Sequence, residues 1–415
     1  MIDVIVIGAG PAGLSGAIEC ARYGLKVTVL DEFIKPGGRL LGQLHQETSG
    51  NWWNGIKESE ELHSKATSLS VDVQCGVSVH NIEKVDGHWY VHTNKGTQLT
   101  SFVLIATGAA EFPIPVPGWT LPGVMSIGAA QVMTNVHRVK VGKKGIIIGA
   151  NILAFAILTE LQLAGIHVDR VLLPEKSPFS QKAAIPQEVL KSLLHSAHLA
   201  PSRLLRFGSK FMNNEKLRRL GIRHYPKKGF KLNGTPFQLR KAALEIVGVN
   251  DVEGVLVADT DEEGNTIPGS EKFYEADFVC IAGGLYPLAE LAAVAGCPFQ
   301  FIPELGGHVP VHSEKMETPL EGLFVAGNIT GIESAKIAMA QGTTAGISIA
   351  NSSQKCSANI DKELQKAVHN VHNVRRGSLI HFNPDIESGR KMLKDIWSSQ
   401  YEIKSSKLNN LKKGS

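Results

Sequence analysis

The chain opens on an apolar run, Ile2-Asp-Val-Ile-Val-Ile7, whose β-branched residues end abruptly at a Gly-x-Gly. That pattern predicts a buried parallel strand. A helix is predicted from about Ala12 to Tyr23, stopped by Gly24, and Lys26-Val-Thr-Val-Leu30 reads as a second strand ending at Asp31-Glu32. Strand, glycine turn, helix, strand and acidic residue make a βαβ unit. Phe102 to Ala106 is a further strand ending in Thr107-Gly108, and the Pro-rich segment Phe112 to Gly118 reads as a crossover between domains. A second βαβ unit starts at Gly145-Ile-Ile-Ile-Gly149, with a helix to Ala164-Gly165 and a strand around His167 to Leu173. Val189, Leu190, Leu193, Leu194, Leu204, Leu205, Phe211, Leu217 and Leu220 recur at mostly helical spacing. Gly254 to Ala258, Phe278 to Gly284 and Gly322 to Gly327 read as returning strands. Ile332 to Ile349 reads as a small-residue helix, and Ile360 to Val374 as a polar helix followed by an irregular basic tail.

Composition narrows the class. With 43 Lys/Arg against 39 Asp/Glu, a net charge of +4, 43% hydrophobic and 20% charged residues, the 415-residue chain is of globular type, not disordered, collagenous or coiled-coil. Its length allows two or three domains. Residues 351–415 carry twelve Lys/Arg and six Asp/Glu, a net of +6. Without interleaved aromatics this points to an acidic partner surface or to solubility rather than to nucleic acid. The apolar stretch Ile146 to Leu158 is too short for a membrane span. The N-terminus has no basic region and no cleavage site, so a cytoplasmic location is expected. Five scattered cysteines, Cys20, Cys75, Cys280, Cys297 and Cys356, with no Cys-x-x-Cys, exclude a disulfide framework and a dithiol redox motif. They also leave no grouped thiolates for an iron–sulfur cluster.

Gly8-x-Gly10-x-x-Gly13 follows a strand, opens a helix and precedes Asp31 by 18 residues, the context in which this spacing marks a dinucleotide site. Gly8 allows the tight turn, Gly10 lets backbone approach a pyrophosphate at the helix N-terminus, and Gly13 permits close helix–strand contact. Asp31 can accept hydrogen bonds from ribose hydroxyls. Ala106-Thr107-Gly108 and Gly327-Asn328 would bring more backbone toward the same ligand, and the Gly37-Gly38-Arg39 loop could wrap its pyrophosphate. The second unit has Gly149, Asn151 and Ala154 at the equivalent positions and Glu175 displaced beyond Pro174. A side chain in place of the second glycine obstructs a pyrophosphate, so NAD(P) binding there is doubtful. Trp52-Trp53 reads as a loop anchor, Cys280 as a buried small hydrophobe, and the histidines show no metal-ligand spacing. No catalytic nucleophile–base constellation emerges.

Beyond the fingerprint, Leu121-Pro-Gly-Val-Met125 with Gly128-Ala-Ala-Gln131, Gly284-Leu-Tyr-Pro287 with Glu290-Leu291, and Glu304-Leu-Gly-Gly-His-Val-Pro310 carry a resemblance. Gly322-Leu-Phe-Val-Ala-Gly-Asn328 followed by Ala340-Gln-Gly342 completes it over residues 1–350. The chain resembles the two-dinucleotide-fold flavoproteins, and within them the α subunits of heteromeric amino-acid-oxidising enzymes such as hydrogen cyanide synthase, opine oxidase and proline or hydroxyproline dehydrogenase. The resemblance implies an α/β fold of two Rossmann-like, reductase-like domains, the second inserted in the first, with a helical basic C-terminal tail: residues 1–117 and 275–350 for FAD, 118–274 for the degenerate domain, and 351–415 as the basic extension. It implies that Gly8, Gly10, Pro11, Ala12, Gly13, Asp31, Glu32, Gly38, Arg39, Val79, Ala106, Thr107, Gly108, Gly327 and Asn328 line the FAD, with no metal. It also implies a partnering flavoprotein β subunit, a small amino-acid substrate, and any iron–sulfur cluster on a separate small subunit. Asn328 stands where the superfamily usually has Asp, near the flavin-side phosphate, which keeps ADP or ATP open as alternative ligands. A stand-alone NAD(P)H-dependent reductase is the other alternative.

Overall fold

The computed structural model describes residues 2–47, 50–194, 214–353, 359–378 and 382–402. The chain divides into two compact units: 1–41, 54–110 and 285–415 form the first, and 42–53 with 111–284 form the second. The extension expected from 351 onward is thus part of the first unit. Residues 275–284, assigned above to the nucleotide domain, belong to the second, because the strand they contain pairs there.

The first unit begins β1 (Ile2–Ile7), α1 (Pro11–Arg22) and β2 (Val27–Asp31), then α2 (Gly55–Ser68), β3 (Asp72–Cys75), β4 (Val79–Val85), β5 (His88–Thr93) and β6 (Gly96–Ile105). Alternation fails along β1 because the strand lies inside a covered sheet: Val4, Ile5 and Val6 are fully buried.

In the second unit β7 (Val124–Ser126), α3 (Ile127–Asn135), β8 (Lys144–Ile148), α4 (Ile152–Leu163) and β9 (His167–Pro174) repeat the parallel pattern. They are followed by α5 (Pro186–Leu194), α6 (Glu215–Arg223), β10 (Thr235–Val247), β11 (Gly254–Asp259), β12 (Lys272–Glu275) and β13 (Phe278–Ile281). Among the described residues its sheet runs β7-β13-β8-β9-β10-β11-β12, parallel as far as β10 and antiparallel beyond. The predicted helical stretch through Leu204, Leu205 and Phe211 lies outside the described residues. Trp52-Trp53 falls in a short strand, Trp52–Asn54, not a loop; Trp53 is buried and its indole donates to Gln43 Oε1 at 3.0 Å.

The chain returns to the first unit with a hairpin (Phe299–Ile302 and Gly307–Pro310), then β14 (Leu323–Val325), α7 (Ala335–Ser352), α8 (Ile360–Arg376) and α9 (Ile386–Trp397). The sheet order is β3-β2-β1-β6-β5-β4, with β14 parallel to the far edge of β6. α7 crosses α1 with backbones nearly touching: a Cβ on Gly342 would lie 2.0 Å from Ala12 O, and one on Gly346 2.5 Å from Gly16 O. That close approach explains the small residues of α7. α9, where an irregular tail was expected, docks Ile386 and Leu393 on Ile302, Leu305 and Val309. The expectation missed it because its apolar positions are few and find their partners on a hairpin some 80 residues earlier in sequence.

Candidate nucleotide site

The first unit turns its sheet's carboxyl ends toward one loop cluster. Gly8 adopts φ +105°, and a Cβ there would lie 2.5 Å from Ala106 O, so only glycine lets β1 end this close to β6. A Cβ on Gly13 would sit 1.8 Å from Gly8 O. Gly10 differs: a Cβ there would meet no protein atom within 4 Å. Gly10 is the N-cap of α1, no side chain caps that terminus, and Pro11 opens the helix. Its first N–H groups therefore carry no side-chain cap and have the dipole behind them, the arrangement an anion requires.

The other predicted residues surround this terminus. Gly37 N donates to Ala9 O at 2.8 Å, and Gly38 closes on Gly10, where its Cβ would be 3.2 Å from Gly10 Cα. The Arg39 guanidinium donates to Ala109 O from Nε at 3.1 Å and Nη2 at 3.0 Å, beyond Gly108. Thr107 Oγ1 donates to Leu288 O at 2.5 Å. A Cβ on Gly327 would lie 2.8 Å from Ala12 Cβ. Asp31 is turned onto the glycine loop itself: Oδ2 accepts from Ala9 N at 2.6 Å and Oδ1 from Phe33 N at 2.8 Å. Burial pushes its carboxyl above the usual range, partly offset by those two N–H groups, and each oxygen keeps room for another donor. Glu32 is exposed past the end of β2. Val77 N donates to Asp31 O at 2.9 Å and so leads the chain into β4, with Val79 as its first residue.

The second unit closes the equivalent terminus. Gly149 repeats the turn at φ +107°, but Asn151 caps α4 with its own side chain. Its Oδ1 accepts from Ala154 N at 2.9 Å and its Nδ2 donates to Ala282 O at 3.0 Å. The amide takes one of the donors that a phosphate would use, Ala154 N.

Residues absent from the sequence reading hold the Gly327 turn. Gly327 N donates to the buried Gln341 Oε1 at 2.9 Å, and Gly327 O accepts from Thr330 Oγ1 at 2.9 Å. Asn328 Oδ1 accepts from Glu333 N at 3.2 Å. Glu333 is buried between two arginines of the C-terminal helices: Arg375 Nε reaches Oε1 at 2.5 Å, and Arg390 Nη2 bonds Oε2. Burial opposes the Glu333 charge, but Arg390 and Arg375 outweigh it and hold the carboxyl below the usual range. His312, also buried here, is pushed down to about 3 by burial and by Arg390. Gln341 lay within a motif already noted; the arginines gave no signal beyond the basic composition of the extension.

Cys20, Cys280 and Cys297 are buried and Cys75 is half-buried; none of the four forms a disulfide among the described residues, and Cys356 lies outside them. Among the described residues no group of three or more His, Cys, Asp or Glu could hold a metal ion, and no helix is long and apolar enough to cross a membrane.

Two Rossmann-like units, one helix terminus without a side-chain cap and one capped by Asn151, place the chain among proteins of the two-dinucleotide fold. Residues 2–342 match the pyridine nucleotide-disulphide oxidoreductase family, and the chain belongs to that family. It is similar to an opine oxidase subunit of Agrobacterium tumefaciens (strain Ach5), 27% identical over 359 residues that cover 83% of this chain and 64% of the relative. It is also similar to the hydrogen cyanide synthase subunit HcnB of Pseudomonas aeruginosa, 27% identical over 83% of this chain and 70% of that one. The chain thus spans less than two thirds of the opine oxidase relative. In fold it resembles T. acidophilum thioredoxin reductase, with a TM-score of 0.60 and 22% identity over 85% of this chain and 98% of that one. L-proline dehydrogenase from P. horikoshii gives a TM-score of 0.61 and 20% identity over 88% of this chain and 58% of that one.

Proposed function

We propose that this chain is the FAD-binding α subunit of a heteromeric dehydrogenase or oxidase acting on a small amino acid of the proline, hydroxyproline, glycine or opine kind. The observation that carries the reading is the contrast between the two helix termini: Gly10 leaves α1 without a side-chain cap, whereas Asn151 caps α4 and takes Ala154 N. A chain that holds one nucleotide and refuses a second is poorly built to take hydride from NAD(P)H by itself, and its relatives bear the names of opine oxidase and sarcosine oxidase subunits.

In this reading FAD supplies two-electron chemistry. The chain's own work is to hold it. The α1 N–H groups take the diphosphate, Asp31 and Glu32 receive the ribose hydroxyls, Val79 and the strand ends at Ala106 and Gly108 wall the adenosine half, and Gly38, Arg39, Gly327 and Asn328 enclose the other half. The amino acid binds largely on a companion β subunit. An iron–sulfur protein is a further, smaller partner, since the described cysteines are dispersed.

Absorbance spectra and denaturing nucleotide release from the protein purified alone, and together with its genomic neighbours, test this. The expected result is stoichiometric FAD, unbleached by NADPH and bleached by an amino acid when the partner is present. Bleaching by NADPH alone would make the chain a reductase; ADP or ATP without flavin would make it a nucleotide-holding scaffold.

A further inference from the structure

The C-terminal helices place two charged groups beneath the nucleotide site. α8 delivers Arg375 and α9 delivers Arg390 to Glu333, with 4%, 11% and 5% of their side chains exposed. Arg390 also donates through Nη1 to Thr330 O at 2.8 Å and to Thr330 Oγ1 at 3.2 Å. Its Nη2 lies 3.0 Å from where a Cβ on Gly331 would be, so the guanidinium is pressed against the turn. Thr330 passes the contact on through its hydroxyl to Gly327 O, and Gln341, which reaches Glu333 Oε2 at 3.4 Å, holds Gly327 N. Both polar groups of the Gly327 backbone thus end on a network anchored about 50 to 60 residues later in the chain.

The charges do not balance. One buried carboxylate bonds two guanidiniums, the exposed Glu387 acts on Arg390 only from further off, and buried Arg390 Nε has no hydrogen-bond partner among the described residues. A neutral imidazole at His312 adds nothing, and Asn328 contributes an amide where an acid would have offset the surplus. A buried ion cluster is poor evidence for stability alone, because its desolvation cancels much of its attraction. A surplus cation next to a ligand turn has a use if the ligand is an anion.

We propose that Arg390 and Arg375 are positioning residues of the nucleotide site: through Glu333, Thr330 and Gln341 they fix the Gly327–Gly331 turn, and their surplus positive charge favours a diphosphate held there. The C-terminal extension is then a component of the cofactor site. This inference rests on the reading that the first unit holds an FAD-type nucleotide.

Arg390→Met tests it in the full-length chain. Arg375 still neutralises Glu333 in that variant, so no lone charge is left buried. Wild type, Arg390→Met and Arg390→Lys are stripped of nucleotide, and FAD and ADP affinities are measured by fluorescence titration beside the melting temperature of each stripped protein. Arg390→Met is expected to weaken FAD binding at least threefold, since a turn residue must be re-ordered on binding, with Arg390→Lys falling between. A ratio below threefold, with or without a drop in melting temperature, makes the helices purely structural and overturns the proposal. If Arg390→Met does not fold, Arg375→Met, which keeps the Arg390–Glu333 pair, is read by the same criterion. Wild type that takes ADP but no FAD refutes the flavin reading, and the proposal then stands or falls on the same ratio measured with ADP.

Discussion

Glu160 on α4 is 4% exposed, yet it is an ionisable group in an apolar helix. Its Oε2 accepts from Gln131 Nε2 at 2.7 Å and Asn135 Nδ2 at 2.9 Å, and its Oε1 from Leu44 N at 3.1 Å. Burial outweighs these donors and pushes the carboxyl from 4.5 up to about 7. Between those values the folded chain keeps a proton that the unfolded chain has released. The group's contribution is therefore fully present below pH 4.5 and is lost as pH rises to about 7. At 1.36 kcal/mol per pH unit the loss is about 3 kcal/mol. Glu160→Gln cannot titrate, and whatever its amide costs against the Gln131 and Asn135 donors is constant with pH. Urea unfolding followed by tryptophan fluorescence should show the stability of Glu160→Gln, relative to wild type, rising by about 3 kcal/mol from about pH 4.5 to 7.5 and flat above. Trp53, adjacent through Gln43 to Leu44, reports this unit. A difference constant across that range would refute the reasoning.

Four more outcomes follow from contacts described above. Gly10→Ala should leave the melting of the nucleotide-free protein nearly unchanged and still lower nucleotide content on purification; Gly13→Ala, whose Cβ meets Gly8 backbone, should cost roughly 1–3 kcal/mol or more in denaturant unfolding. Asn151→Ala should cost about 1–2 kcal/mol through the lost helix cap, while nucleotide content of the first site, measured by denaturing release, stays the same. Glu333→Gln, which leaves two guanidiniums buried without a carboxylate, should destabilise by about 3–5 kcal/mol in the same unfolding assay.

The parts of this protein that sequence reveals are those built from neighbours. The Gly8–Asp31 unit, its degraded counterpart at Gly149–Ala154 and the small-residue helix over Ala335–Ser352 are each specified within about thirty residues, where period and turn chemistry dominate. Asn151 was legible as an obstruction and its cap on Ala154 N is local, but the 3.0 Å bond that ties its amide to Ala282 O, 131 residues away, was not legible. Glu333, Arg375 and Arg390 were invisible for the same reason: charged residues in a polar stretch read as solvated until the fold brings them together. The net +6 of the extension gave no hint that two of its arginines are buried. Unit boundaries suffered likewise, since the pairing of β13 with β7 and β8, not composition, assigns residues 275–284.

One consequence of the sheet order concerns how the chain is made. β6 presents Val103, Leu104 and Ile105 to β14, whose Leu323–Val325 lies more than 200 residues later. At ~5–20 residues per second on the ribosome, that apolar edge waits on the order of ten to forty seconds for its partner. An unpaired hydrophobic edge is a template for association with other chains. The nascent first unit therefore carries this edge unpaired until synthesis passes residue 325.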